Sequence, residues 1–425
     1  MPTPLPAQLP AKLTISLWDF TWYTRTGPGE PFADLDRAFT EAAERGHNTI
    51  RICAMPFLLF GSGLDTSRLR LGPLGGSYGQ RVRWYDVAGE TEIDGRAQLL
   101  ALFQAARRHD FHVILSSWEY QQSPSFAGDR AWFDALLAID PEHRAEALAD
   151  ALADLIDFLA AHDGLDDRIA FTELHNEVQA GRLADGLPGL ADPVVELKDR
   201  LTRGIERFKS RHPDRPVTVN YATVPVGALR GVPENVDVAV FHPYVYGVLD
   251  ELLDAFALRD LDRPFPQERA RRELLRPDAP DLADWAPPEA DRWRLTATVV
   301  GVREIYVHDW CDPDKWDAWL YDRYATHRLA MEQRLVTWIE AAADWAAAAG
   351  VPLVFGEGWV GYTPPHGTFE EGPVGAAFCR LAVAESARVG ARGTLVCSNA
   401  APHHAMWQDV ALQRECNALF RGDSV

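Results

Sequence analysis

The chain has 425 residues, 47% hydrophobic and 24% charged, an ordinary globular balance with apolar side chains enough for a large core. Sixty-two acidic residues against 42 basic ones leave a formal charge of −20, which repels nucleic-acid phosphates and anionic lipid and argues against both as partners. No stretch approaches the roughly 18 consecutive apolar residues of a membrane span, and the five scattered cysteines, never spaced C-x-x-C, argue against a disulfide framework or a thiolate metal site.

Residues 1–12 are Pro-rich and lack a basic segment followed by an apolar run, so they read as a tail rather than a secretory signal. A cytoplasmic protein is the expectation. From residue 13 onward, short β-branched runs alternate with amphipathic stretches. Residues 13–17 predict a strand and 32–45 a helix, with Phe32, Leu35, Phe39 and Ala43 at helical spacing and Gly46 to end it. A second strand covers 48–53, and a helix over 96–109 leads into a third at 111–116. The pattern continues with a helix at 141–161 and a strand at 169–174, then a helix at 194–211 and a strand at 217–221. Strands at 236–241, 352–355 and 394–396 bring the count to eight.

Repeated βα units imply a parallel sheet, and eight of them imply closure, so the predicted fold class is α/β, a (β/α)₈ TIM barrel forming one catalytic unit over 13–425. A doubly wound open sheet would carry a Gly-rich turn after its first strand. Here that place reads Trp18-Asp19-Phe20-Thr21-Trp22. About a hundred residues, roughly 248–350, separate strands six and seven. Their first half is Pro-rich and charged, with Arg276-Pro277-Asp278-Ala279-Pro280 and Ala286-Pro287-Pro288-Glu289, and their second half predicts a helix over 316–349, broken or continuous. Weak apolar periodicity in the first half points to an elaborated loop on the catalytic face, with His308-Asp309-Trp310 a candidate lid element.

Barrel enzymes take their reactive groups from the C-terminal ends of strands. Those ends deliver Trp18 and Asp19, Arg51, then Trp118, Glu119 and Tyr120, then His175, Asn176 and Glu177. Strand six adds His242, Tyr244 and Tyr246, strand seven Glu357 and Trp359, and strand eight Ser398 and Asn399. Two carboxylates across one mouth, among aromatics and hydrogen-bond donors, suit glycoside hydrolysis, in which one group protonates the leaving oxygen and the other attacks or shields the anomeric carbon.

Four runs resemble clan A of the glycoside hydrolases, nearest to its family five, the cellulase-like enzymes. They are Gly46-His47-Asn48-Thr49-Ile50-Arg51-Ile52, Phe171-Thr172-Glu173-Leu174-His175-Asn176-Glu177, His242-Pro243-Tyr244 and Pro352-Leu353-Val354-Phe355-Gly356-Glu357-Gly358, and the likeness spans about 13–400. The resemblance implies that Glu177 is the acid/base and Glu357 the nucleophile of a retaining β-glycosidase acting on a small glycoside or oligosaccharide. It also implies that Asn176 binds the hydroxyl next to the anomeric carbon, that Arg51 and Tyr244 contact the nucleophile, and that His242 sits close to the acid/base. Trp118, Glu119, Trp359 and Asn399 are further expected substrate contacts. No cofactor or metal is expected, since His403 and His404 lack two further ligands at helical spacing.

The chain departs from the family at Val178, where proline usually follows the Asn-Glu pair. It departs again at Ser117-Trp118-Glu119-Tyr120, where a histidine is usual, and at Cys397-Ser398-Asn399, where a tryptophan platform is usual. The two-carboxylate chemistry is untouched, while the sugar stays open. A transglycosidase and a non-catalytic sugar-binding barrel are the alternative readings, and the oligomeric state is not legible.

Overall fold

The computed structural model describes residues 2–72, 82, 86, 87, 89–189 and 192–423. Its main sheet is built from β1 (Leu13–Asp19), β2 (Thr49–Cys53), β3 (His112–Ser116) and β4 (Ile169–Glu173). After β4 come β5, in two pieces (Val217–Thr218 and Asn220–Tyr221), then β6 (Ala239–Phe241), β7 (Leu353–Phe355) and β8 (Gly393–Leu395). Every neighbouring pair is parallel, and β1 lies between β2 and β8. The two pieces of β5 close the ring: Val217 registers with Thr172 of β4, and Asn220 with Val240 of β6. The fold is therefore a (β/α)₈ barrel. Every residue of β1 to β4 is buried, because a parallel strand is covered on one face by the barrel interior and on the other by helices.

The helices follow their sequence signals. Helix α1 (Leu35–Glu44) starts where the Asp34 carboxylate accepts the Arg37 N–H and buries Ala38, Phe39 and Ala42. Helices α2 (Gly95–Arg108), α3 (Arg144–Ala161) and α4 (Lys198–Arg211) cover β3, β4 and β5 in turn. Two expected helices start differently. Residues 141–143 form a 3₁₀ turn before α3, and the stretch expected to be one helix over 194–211 is split at Leu197, with Pro193–Glu196 a separate turn. A short antiparallel pair, Leu69–Leu71 with Thr91–Ile93, was not anticipated.

The segment between β6 and β7 contains α5 (Val248–Ala255), α6 (Gln267–Glu273), a 3₁₀ turn at Glu289–Thr296, α7 (Val302–Trp310) and α8 (Pro313–Ala349). Helix α8 is unbroken over 37 residues. Asp312 caps its first amides, and Gly350, at φ 69°, takes the left-handed turn that ends it. His308 and Asp309 are buried, with the His308 ring edge-on to Trp316 at 5.2 Å and to Tyr362 at 5.6 Å, so this stretch of α7 packs inside the insertion and is not an exposed flap. The chain closes with α9 (Pro373–Arg388) and α10 (Val410–Arg421). The Pro-rich start is docked, since Leu9 is buried and the Thr3 N–H donates to Asp237 Oδ1 at 2.6 Å. No helix among the described residues is long and apolar enough to cross a membrane.

Candidate active site

Arg51, in β2, is fully buried and reaches across the barrel mouth. Its Nη2 donates to Glu173 Oε2 and to Asn176 Oδ1, both at 2.6 Å, and its Nη1 donates to Glu357 Oε1 at 2.9 Å. The guanidinium lies 4.6 Å from the centre of the Trp118 ring. Burial alone would lower its pKa, but Glu173 and then Glu357 outweigh that and hold it above the ordinary arginine value. One cation thus faces two carboxylates from β4 and β7, so its pairing with Glu173 and its contact with Glu357 coexist.

Glu357 has a second donor in the Tyr244 hydroxyl at 2.9 Å, and that hydroxyl also meets Ser398 Oγ at 2.5 Å. Ser398 Oγ in turn accepts the Gly358 N–H at 3.0 Å. Residues after β6, β7 and β8 are thereby fastened to one another around the carboxylate. Gly356 is small for a steric reason: a Cβ there would lie 2.8 Å from His242 Nε2 and 3.2 Å from Arg51 Nε.

Glu177 follows β4 with its backbone at φ 42°, a conformation that costs a non-glycine residue strain and is tolerated where the surroundings over-determine it. Here the Glu177 N–H donates to Asn220 Oδ1 at 2.6 Å, while Asn220 Nδ2 donates to Glu173 Oε2 at 2.7 Å. The Glu177 side chain accepts from Gln121 Nε2 at 3.0 Å, and Gln121 Oε1 accepts from Asn176 Nδ2 at 2.9 Å. His242 Nδ1 lies 3.1 Å from Glu177 Oε1 and 3.7 Å from Glu357 Oε1. Burial drives the His242 pKa down to about 4 against the pull of Glu357, so the imidazole is neutral at neutral pH.

Glu177, Glu357, Asn176, Tyr244 and Trp118 share one cavity of about 540 Å³, with Gln121, Tyr246 and Tyr362 also on its wall. Arg51 and His242 sit beneath it, touching the carboxylates. Three expected substrate contacts lie elsewhere. Glu119 is buried and accepts from the backbone N–H groups of Phe57 and Leu58, from Ser117 Oγ and from Trp132 Nε1, so both oxygens are consumed in holding the segment after β2. The Trp359 indole is buried and donates to Val396 O at 2.7 Å. Asn399 is buried beyond Ser398 and does not line the cavity. Gln121 was missed by sequence reasoning, because it belongs to no motif and lies on a turn. Ser398 was placed at a strand end but given no role.

Among the described residues, the one set of potential metal ligands close enough to share an ion is Glu177, His242 and Glu357, with ligand atoms within 4.8 Å of one another. Arg51 already supplies the neighbouring positive charge at 2.9 Å from Glu357, which disfavours a cation at the same oxygens.

A family model described as sugar-binding cellulase-like matches residues 15–181, the stretch from β1 to just past Glu177. The crystal structure of a provisionally assigned glycoside hydrolase from Parabacteroides distasonis ATCC 8503 superimposes with a TM-score of 0.65 at 19% identity, over 98% of this chain and 95% of that one. The endo-β-1,4-mannanase of Thermotoga petrophila does so with a TM-score of 0.52 at 15% identity, over 98% and 79%. A tri-modular endo-β-1,4-glucanase from Bacillus licheniformis, complexed with cellotetraose, gives 0.51 at 12% identity over 99% of this chain and 61% of that chain. None of the curated proteins compared with the chain matches it. The scaffold is one shared with glycoside hydrolases, in line with the resemblance carried by the four motifs.

Proposed function

We propose that this chain is a retaining β-glycosidase, with Glu357 as nucleophile and Glu177 as acid/base. The observation that carries the reading is the spacing of the two carboxylates, whose facing oxygens lie within 4.8 Å of each other in one cavity. An oxygen pair this close suits direct attack, for which whole carboxyl groups stand ~5–5.5 Å apart, better than inversion, which sets them ~6.5–9.5 Å apart to admit a water. Glu357 attacks the anomeric carbon while Glu177 gives its proton to the leaving oxygen. Water then attacks the glycosyl-enzyme as Glu177 takes a proton back. Arg51 and Tyr244 aim the nucleophile, Gln121 and His242 aim the acid/base, and Asn176 offers its amide to the neighbouring sugar hydroxyl.

The mannanase and glucanase likenesses make β-linked hexosides the first substrates to try, and the insertion over the cavity favours short glycosides over polymers. The roles are separated by azide. Glu357→Ala abolishes turnover of every glycoside, and azide added to it yields a glycosyl azide of inverted configuration. Glu177→Ala still reacts with substrates bearing good leaving groups, accumulates the intermediate, and yields with azide a product of retained configuration. Near wild-type rates in both variants would sink the mechanism. Binding of sugars by a wild-type protein that turns over no aryl glycoside would favour the non-catalytic reading.

A further inference from the structure

The cavity wall has two chemically different parts. Around the glutamates it is aromatic and polar, with Trp118, Gln121, Asn176 and Tyr244. The part supplied by the insertion carries four aliphatic side chains, Leu258, Leu261, Val299 and Val300, beside Gly301 and the charged pair Arg259 and Glu304. Leu261 is 63% exposed and Val299 44%, so two large apolar side chains open to solvent inside a concave site. Exposed apolar side chains backed by buried ones, here Leu258 and Val300, inside a concave site with polar groups beside them are the features of a ligand-binding surface. Sugar rings are met by flat aromatic faces and by hydrogen-bonding groups, and branched aliphatic side chains offer neither.

The aliphatic wall is also held in place. Glu304 Oε1 accepts from Arg259 Nε at 3.1 Å and from the Tyr362 hydroxyl at 2.7 Å, which ties the insertion to the segment following β7. The Arg259 guanidinium lies over the Tyr246 ring at 5.0 Å, which ties it to the segment following β6.

We propose that this wall is a site for an apolar, largely aliphatic aglycone, so that the substrate is an amphiphilic glycoside and not a chain of sugars. The inference rests on the glycosidase reading for the bond that is cleaved, but not for the existence of the site. The test uses methyl, butyl and octyl β-glycosides, and the matching disaccharide, of a sugar found to turn over as its aryl glycoside. The kcat/KM rises at least about tenfold from methyl to octyl, as burial of the added methylenes requires, and octyl is preferred to the disaccharide. Leu261→Ser with Val299→Ser removes most of that rise and leaves the methyl glycoside within about twofold. Both positions are solvent-exposed, so the changes cost little stability, and an unchanged circular-dichroism spectrum and urea midpoint verify that the double variant is folded.

Calorimetric binding of octyl and methyl β-glucoside, β-galactoside and β-mannoside to wild type and double variant reads the site without turnover. Octyl-selective binding that the double variant loses, with no hydrolysis of any glycoside, removes the enzyme reading and leaves the aglycone site standing. Turnover with no dependence on chain length, or a chain-length effect that the double variant keeps, overturns the aglycone site and leaves the glycosidase intact. Absence of both turnover and octyl-selective binding overturns both.

Discussion

His175 makes two hydrogen bonds that only one neutral form of imidazole can make. Its Nδ1 lies 2.6 Å from Asn176 O and must donate, while its Nε2 accepts the Tyr120 N–H at 3.0 Å. His47 is fixed similarly, between Gln413 Oε1 at 3.2 Å and Asn417 Nδ2 at 3.4 Å. Burial lowers His175 to about 3, and His47 and His242 to about 4. In the unfolded chain all three take a proton near 6.5. The unfolded state therefore binds more protons as pH falls below about 6.5, and each histidine removes about 1.4 kcal/mol of stability per pH unit down to its folded value. Glu119 acts in the opposite sense. Burial raises it to about 7 despite its four donors, so between about 7 and 4.5 it offsets one histidine. Urea midpoints measured at pH 7.5 and pH 5 should fall markedly, and equal midpoints would contradict the neutral assignments. The residues of the site were legible where the barrel's own rule places them, at the ends of strands, as with Arg51, Glu177 and Glu357. Glu119 also stands at a strand end, yet it turns away to meet the amides of Phe57 and Leu58, a local demand that spacing does not reveal.

At the scale of elements, strand positions were readable because doubly buried strands are compact apolar runs between helices with clear caps. Breaks within elements were less readable: nothing in 194–211 marks the kink at Leu197, and nothing in 217–221 marks the interruption at Val219. The insertion was legible as a departure from rhythm and as a long helix. Its contact with the cavity depends on Arg259 and Glu304, which are 45 residues apart and meet only after the loop has folded. Glu304→Gln keeps the shape of the side chain but removes its charge, turning the ion pair with Arg259 into a hydrogen bond to a neutral amide oxygen, and should weaken the attachment by about 1 kcal/mol. Limited proteolysis then cuts within 256–301 several times faster than in the wild type, while fragments from the rest of the barrel do not change. An unaltered cleavage pattern and rate would show that this contact does not hold the insertion.

For the whole molecule, barrel closure and site assembly are a single event. Arg51 joins β2 to residues from β4 and β7, so neither half of the barrel can position Glu357 without the other. Closure also has a seam. β5 pairs with β4 through its first two residues and with β6 through its last two, with Val219 between. Ladders so short open more readily than the longer pairings among β1, β2 and β3. β7 and β8 meet through the single pair Val354 and Gly393, so the ring has weak joints at β5 and at β7–β8, and amide deuteration monitored by mass spectrometry should label peptides spanning 217–221 and 239–241 well before those spanning 49–53 and 112–116. Simultaneous labelling of all four would refute this. Because Asn220 in the β5 seam also receives the Glu177 amide, each opening there releases the residue that holds the strained turn, and a readily opened joint of the scaffold sets how long Glu177 keeps its place.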